Sequence, residues 1–133
     1  MIHKKILITL LFISAILFLV GFAILQPSYV GICDEYDCFR DVVFSFGKPL
    51  FWGSMPFILT FFMLIFASQE TYNAWKKFAP VGIIITILVF VYTEPLCSGF
   101  ICFDRAEGVF WSGILFFLVS LGIIVWNKLF SKN

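Results

Sequence analysis

The sequence predicts an all-α integral membrane protein, with four transmembrane helices arranged as two tandem helical hairpins and disulfide-stabilised extracytoplasmic loops. Three observations predict this class. The chain of 133 residues is 62% hydrophobic and only 13% charged, a balance that the exposed surface of a soluble domain of this size does not tolerate. Four long apolar runs alternate with polar segments, and all four cysteines lie in two of those polar segments.

The four apolar runs predict the four helices, because a span needs roughly 20 apolar residues to cross a hydrocarbon core about 30 Å thick. The predicted helices are 6–25, 49–67, 75–93 and 109–127, within one membrane domain of residues 1–133. The strictly apolar part of the third run is short. We expect Trp75 and Tyr92 to extend it to the two membrane interfaces, with Pro80 in its first helical turn.

Lysine and arginine residues predict the orientation, because cytoplasmic segments carry an excess of both. One side of the predicted membrane domain holds Lys4, Lys5, Lys76, Lys77, Lys128 and Lys132. The other side holds Arg40, Lys48 and Arg105, together with seven of the eight acidic residues. We therefore expect both termini in the cytoplasm of a bacterial cell, a location in the inner membrane, and outward-facing loops at 26–48 and 93–108.

The two halves of the chain resemble each other. Cys33 and Cys38 are followed by Phe-Arg, and Cys97 and Cys102 by Phe-Asp-Arg. The next helices then open alike, with Phe51-Trp52-Gly53-Ser54 matching Phe110-Trp111-Ser112-Gly113. Duplication of a hairpin explains this similarity, and chance similarity between Phe-rich segments is the alternative. Small residues let helix backbones approach closely in membranes, so we expect the second and fourth helices to meet near their outer ends.

The four cysteines predict two disulfide bonds, because the compartments that these loops face are oxidising. Three pairings of Cys33, Cys38, Cys97 and Cys102 are open. A structural role fits loops that have no core of their own. Thiol–disulfide exchange is the competing interpretation, although the acidic residues between Cys33 and Cys38 disfavour the thiolate that exchange needs.

The layout of these cysteines resembles that of the DsbB and vitamin K epoxide reductase group of membrane oxidoreductases. Cys33, Cys38 and Arg40 match the group's first outer element, and Cys97 and Cys102 match its second. The resemblance implies a four-helix bundle that passes electrons to a quinone, in an aromatic and apolar pocket near Arg40 or Arg105. The spacing departs from the group, because C-x4-C replaces its C-x-x-C.

The rest of the sequence favours recognition rather than catalysis. The strictly apolar runs within the predicted spans contain no charged residue or histidine, and no phosphate-binding loop is present. We expect no metal, no nucleic acid and no cofactor. The leading interpretation is a non-enzymatic protein, an accessory subunit or immunity-type protein. It would recognise a membrane or extracytoplasmic protein partner through helix faces or an acidic outer cap, with the lipid bilayer around it and a homo-oligomer possible.

The alternative interpretation is a DsbB-like thiol–disulfide oxidoreductase that uses Cys33/Cys38 and Cys97/Cys102 with a quinone. Under either interpretation, the expected contacts to the partner or the quinone come from basic and aromatic side chains near the outer ends of the spans. They are Arg40, Arg105, Trp52 and Trp111.

Overall fold

A computed structural model describes residues 2–25, 43–94 and 104–130 of the protein. These residues form the helices α1 (Ile2–Leu25), α2 (Lys48–Ile65), α3 (Gln69–Tyr92) and α4 (Arg105–Phe130). A turn of π-helix, Val43–Gly47, leads directly into α2. All four helices are long and apolar enough to cross a membrane, which confirms the predicted all-α, four-helix membrane class. The four cysteines lie outside the described residues, and the predicted disulfides with them.

The helices begin earlier than the apolar runs predict. α3 begins at Gln69 rather than 75, and α4 at Arg105 rather than 109, so the end of the predicted loop 93–108 is helical. Side-chain caps explain both starts. The Ser68 Oγ accepts a hydrogen bond from the Thr71 backbone N–H at 3.3 Å, and the Asp104 Oδ1 accepts one from the Glu107 N–H at 2.8 Å. The end of the predicted loop 26–48 is helical as well, because the π-helical turn Val43–Gly47 precedes α2.

The position of Pro80 was predicted wrongly. It lies in the interior of α3, not in its first turn, because the cap at Ser68 starts the helix well before the apolar run begins. Membrane helices tolerate an interior proline because local adjustments and neighbouring groups satisfy the freed backbone carbonyl. By contrast, Pro49 does stand in the first turn of α2, a position that proline favours.

The helices pack in the spatial order α1, α2, α4, α3. We call the end where α1 begins and α4 ends the terminal end, and the opposite end the loop end. α2 and α4 run in the same direction and meet near the loop end, as predicted. A Cβ at Gly53 would collide with the Val109 side chain, and one at Gly113 would lie 3.1 Å from the Pro56 Cγ. Glycine on both helices therefore permits this close approach.

α1 packs on α2 along a narrow seam. Its buried residues are Leu7, Ser14 and Gly21, spaced by seven residues. At Gly21 the two backbones nearly touch, because an added Cβ would lie 2.9 Å from the Phe51 Cα. The rest of α1 is mostly exposed and apolar, as expected for a helix that faces lipid.

An aromatic core closes the terminal end. Trp75 is only 2% exposed, and its Nε1–H donates to the Ser120 Oγ of α4 at 2.9 Å. Phe61 of α2 and Phe116 of α4 lie edge-on to its ring, with centroids 6.0 and 6.1 Å away. The expectation that Trp75 lies at a lipid interface was wrong, because this ring fills the space between three helices.

Candidate functional site

A groove runs between α1 and α3, with α2 as its floor. Its volume is about 370 Å³, and it is partly open. We call it the α1–α3 groove. Its lining consists of Leu10, Ile13, Ser14 and Leu17 from α1; Pro49, Leu50, Gly53, Ser54, Phe57 and Phe61 from α2; Ile83, Thr86, Ile87 and Phe90 from α3; and Val109 from α4.

The groove exists because α1 and α3 approach each other at one end and separate at the other. At the terminal end, the His3 and Tyr72 rings have centroids 5.4 Å apart, and Leu7 joins the aromatic core. Toward the loop end, Gly21 draws α1 against Phe51 of α2. α1 therefore follows α2 rather than α3, and the space between α1 and α3 stays unfilled.

The walls of the groove are apolar even where hydroxyl groups line it. The Ser54 hydroxyl donates to the Leu50 carbonyl, and the Thr86 hydroxyl donates to the Gly82 carbonyl at 3.0 Å. Because both hydroxyl protons are used within their own helices, these residues offer little to a polar guest. The groove therefore suits a guest that is largely hydrocarbon.

Arg105 lies beside the loop end of the groove. Its Nε–H donates to the Thr93 carbonyl at 3.1 Å, and its Nη1–H donates to the Ser45 carbonyl at 3.0 Å. Its Cζ lies 5.1 Å from the ring centroid of Phe90, which lines the groove. This cation–π contact and the two hydrogen bonds fix the guanidinium between the π-helical turn, the end of α3 and the start of α4.

The other predicted site residues lie elsewhere. Trp52 and Trp111 both pack on Phe110, with ring centroids 5.9 and 6.1 Å from it, and neither lines the groove. The remaining predicted residues are Arg40, Cys33, Cys38, Cys97 and Cys102, and they lie outside the described residues. The structure therefore places Arg105 beside the groove and does not bring the two tryptophans to it.

The resemblance implied an apolar pocket near Arg40 or Arg105, but the sequence did not indicate which helices would form the groove. The available signal was the set of small and hydroxyl-bearing residues inside the spans, of which Ser14, Ser54 and Thr86 line the groove. Such residues equally mark tight helix contacts, as Gly53 and Gly113 do. Only the spatial order of the helices separates the two roles.

Residues 2–25, 43–94 and 104–130 contain no group of three or more His, Cys, Asp or Glu side chains that could hold a metal ion. Comparison of the chain with protein-family models, with curated protein sequences and with solved structures finds no match. The functional interpretation therefore rests on the geometry of the groove and of Arg105.

Proposed function

We propose that this protein is a non-enzymatic membrane protein, of the accessory-subunit or immunity type, that recognises a hydrophobic partner within the bilayer. The α1–α3 groove is its recognition surface. One observation carries the proposal: the groove is an apolar, partly open cavity of about 370 Å³ between two helices that are otherwise lipid-facing. Cavities of roughly this size are typical of sites that enclose an apolar guest.

The proposed orientation puts the terminal end in the cytoplasm and the loop end outside, in a bacterial inner membrane. The distribution of charge supports it. Lys4, Lys5, Lys76, Lys77 and Lys128 belong to the parts of α1, α3 and α4 near the terminal end. The acidic outer cap would come from Asp34, Glu35, Asp37 and Asp41, which lie outside the described residues. This arrangement follows the rule that lysine and arginine concentrate on the cytoplasmic side.

Site-specific photo-crosslinking tests the recognition surface. A photoreactive phenylalanine analogue replaces Ile87, which lines the groove, or Ile84, which does not. The two side chains are matched, because both lie on α3 and are 55% and 56% exposed. Irradiation in native membranes is expected to give adducts of one defined chemical class from position 87 and a mixture of adducts that follows the bulk membrane composition from position 84. Indistinguishable adducts from the two positions would contradict the proposal.

A quinone-dependent thiol–disulfide oxidoreductase is the second candidate. The observation that favours it is the aromatic lining of the groove by Phe57, Phe61 and Phe90, with Arg105 beside Phe90. An apolar pocket with a cation at one end is what a quinone ring and its carbonyl oxygens require. In this function the groove holds the quinone, and Cys33, Cys38, Cys97 and Cys102 carry the exchange.

Thiol trapping in cells separates the two candidates. Under the leading proposal the four cysteines form two structural disulfides, so all four resist alkylation until a reductant is added. A Cys38→Ser variant then loses only stability. A cysteine pair that cycles between thiol and disulfide, together with quinone in the purified protein, would favour the oxidoreductase and remove the leading proposal.

A further inference from the structure

We propose that the α1–α3 groove holds one hydrocarbon chain of an anionic membrane lipid, with the lipid head group at the loop end beside Arg105. This inference rests on the proposed function, because it names the partner that the groove recognises. Three observations carry it: the dimensions of the groove, its depth in the membrane and the fixed charge at its loop end.

The dimensions of the groove fit a single chain. Its floor runs from Pro49 to Phe61 of α2, which corresponds to about 18 Å at the rise of an α-helix. A volume of about 370 Å³ spread along that length describes a long, narrow space. An extended hydrocarbon chain fits such a shape along its whole length.

The depth of the groove places its apolar part in the hydrocarbon region. Its deep end is marked by Leu10 and Phe61, where the aromatic core of the terminal end begins. Its shallow end reaches Pro49 in the first turn of α2 and Val109 in the second turn of α4. The starts of membrane-spanning helices lie near the level of the lipid head groups. A lipid in the groove would therefore have its apolar tail toward the deep end and its polar head group at the shallow end.

The fixed Arg105 guanidinium at the shallow end offers a contact to an anionic head group. The two hydrogen bonds that hold the Arg105 guanidinium go to carbonyl oxygens, which fix its position without neutralising its charge. Lys48 lies at the same end, together with Glu94, Asp104 and Glu107. The selection therefore depends on the position of the guanidinium beside Phe90 and not on the net charge of that end. A guanidinium held in place loses little conformational entropy when it binds a phosphate oxygen.

Native mass spectrometry of the full chain tests the proposal. The protein is reconstituted into nanodiscs that contain equal amounts of phosphatidylcholine and phosphatidylglycerol and is then released in the spectrometer. We expect one phosphatidylglycerol to be retained in preference to phosphatidylcholine. Ile87→Trp fills the groove and is expected to abolish this retention, whereas the matched Ile84→Trp, outside the groove, keeps it.

Variants at the cationic end test the head-group contact. Arg105→Gln is expected to lower the preference for phosphatidylglycerol about tenfold, as the loss of one charge-assisted hydrogen bond would, and Arg105→Lys is expected to restore part of it. Because Arg105 also ties three elements together, Lys48→Gln provides a second variant, for which we expect a smaller decrease. These changes must leave the helical circular dichroism signal unchanged.

The contradicting outcomes separate this inference from the function on which it rests. Equal retention of the two lipids by the unmodified protein, or a quinone retained in place of a lipid, would overturn the lipid assignment. In either case, a defined adduct at position 87 would still support recognition at the groove. Unchanged retention in Ile87→Trp would overturn the assignment of the site, and indistinguishable adducts at positions 84 and 87 would overturn the proposed function as well.

Discussion

At the scale of single residues, the hydrogen bond between Trp75 and Ser120 joins α3 to α4 inside the aromatic core. Ser120→Ala leaves the buried indole N–H without its acceptor. We expect a loss of about 1 kcal/mol in the free energy of unfolding, within the range for interhelical hydrogen bonds in membranes. Unfolding by a denaturing detergent in mixed micelles measures it.

Ser112→Ala is the control for this prediction. The Ser112 hydroxyl donates to the Val109 carbonyl of its own helix at 2.9 Å and lies 3.5 Å from the Thr86 Oγ1 of α3, so its removal breaks only a weak contact between helices. Equal losses in the two variants would show that the Trp75–Ser120 bond contributes nothing specific to stability.

Trp75 also shows what the sequence does not determine at this scale. Trp75 stands just before the third apolar run, and that position is the same whether its ring faces lipid or the core. Hydropathy alone therefore predicted a ring at the membrane interface. The relevant information lies 45 positions away, in the serine that accepts its hydrogen bond. Arg105, which the sequence analysis singled out as a possible contact to a partner or a quinone, lies beside Phe90 of the groove, and its role as such a contact stays a prediction.

At the scale of elements, the contact between α2 and α4 depends on glycine. Gly53→Leu would drive a side chain into Val109, and overpacking of this kind costs about 1–3 kcal/mol. We expect a lower unfolding midpoint in detergent. Gly122→Leu is the matched control, because a Cβ at Gly122 meets no atom within 4 Å. A similar midpoint shift in the two variants would contradict the importance of this contact.

The helices differ in how well the sequence predicts them. Their number and the contact of α2 with α4 follow from hydropathy and from the small residues after each tryptophan. The starts of α3 and α4 do not, because Ser68 and Asp104 fix them by hydrogen bonds outside the apolar runs. The π-helical turn Val43–Gly47 was predicted as part of a loop because Lys48 and Pro49 separate its apolar residues from the apolar run of α2.

At the scale of the whole molecule, the orientation in the membrane is testable by labelling. A cysteine introduced at Glu94, an exposed position at the loop end, is expected to react with a membrane-impermeant maleimide added to intact cells. One at Gln69, exposed at the terminal end, is expected to react only after permeabilisation. The unmodified protein controls for the native cysteines, and the reverse labelling pattern would overturn the orientation.

The groove could not be predicted from the sequence for a reason that belongs to this scale. A chain with four similar apolar runs does not specify which two helices fail to touch. That gap follows from the joint effect of Gly21, Gly53 and Gly113, each of which draws one pair of helices together and leaves α1 and α3 apart.

The seam of α1 has a consequence for where the groove opens. The buried residues of α1 become smaller from the terminal end to the loop end, in the order Leu7, Ser14 and Gly21. The axis of α1 therefore comes closer to α2 toward the loop end. The aromatic core closes the space between α1 and α3 at the terminal end, and the space widens toward the loop end. An occupant of the groove would therefore enter it from the loop end, not from the terminal end.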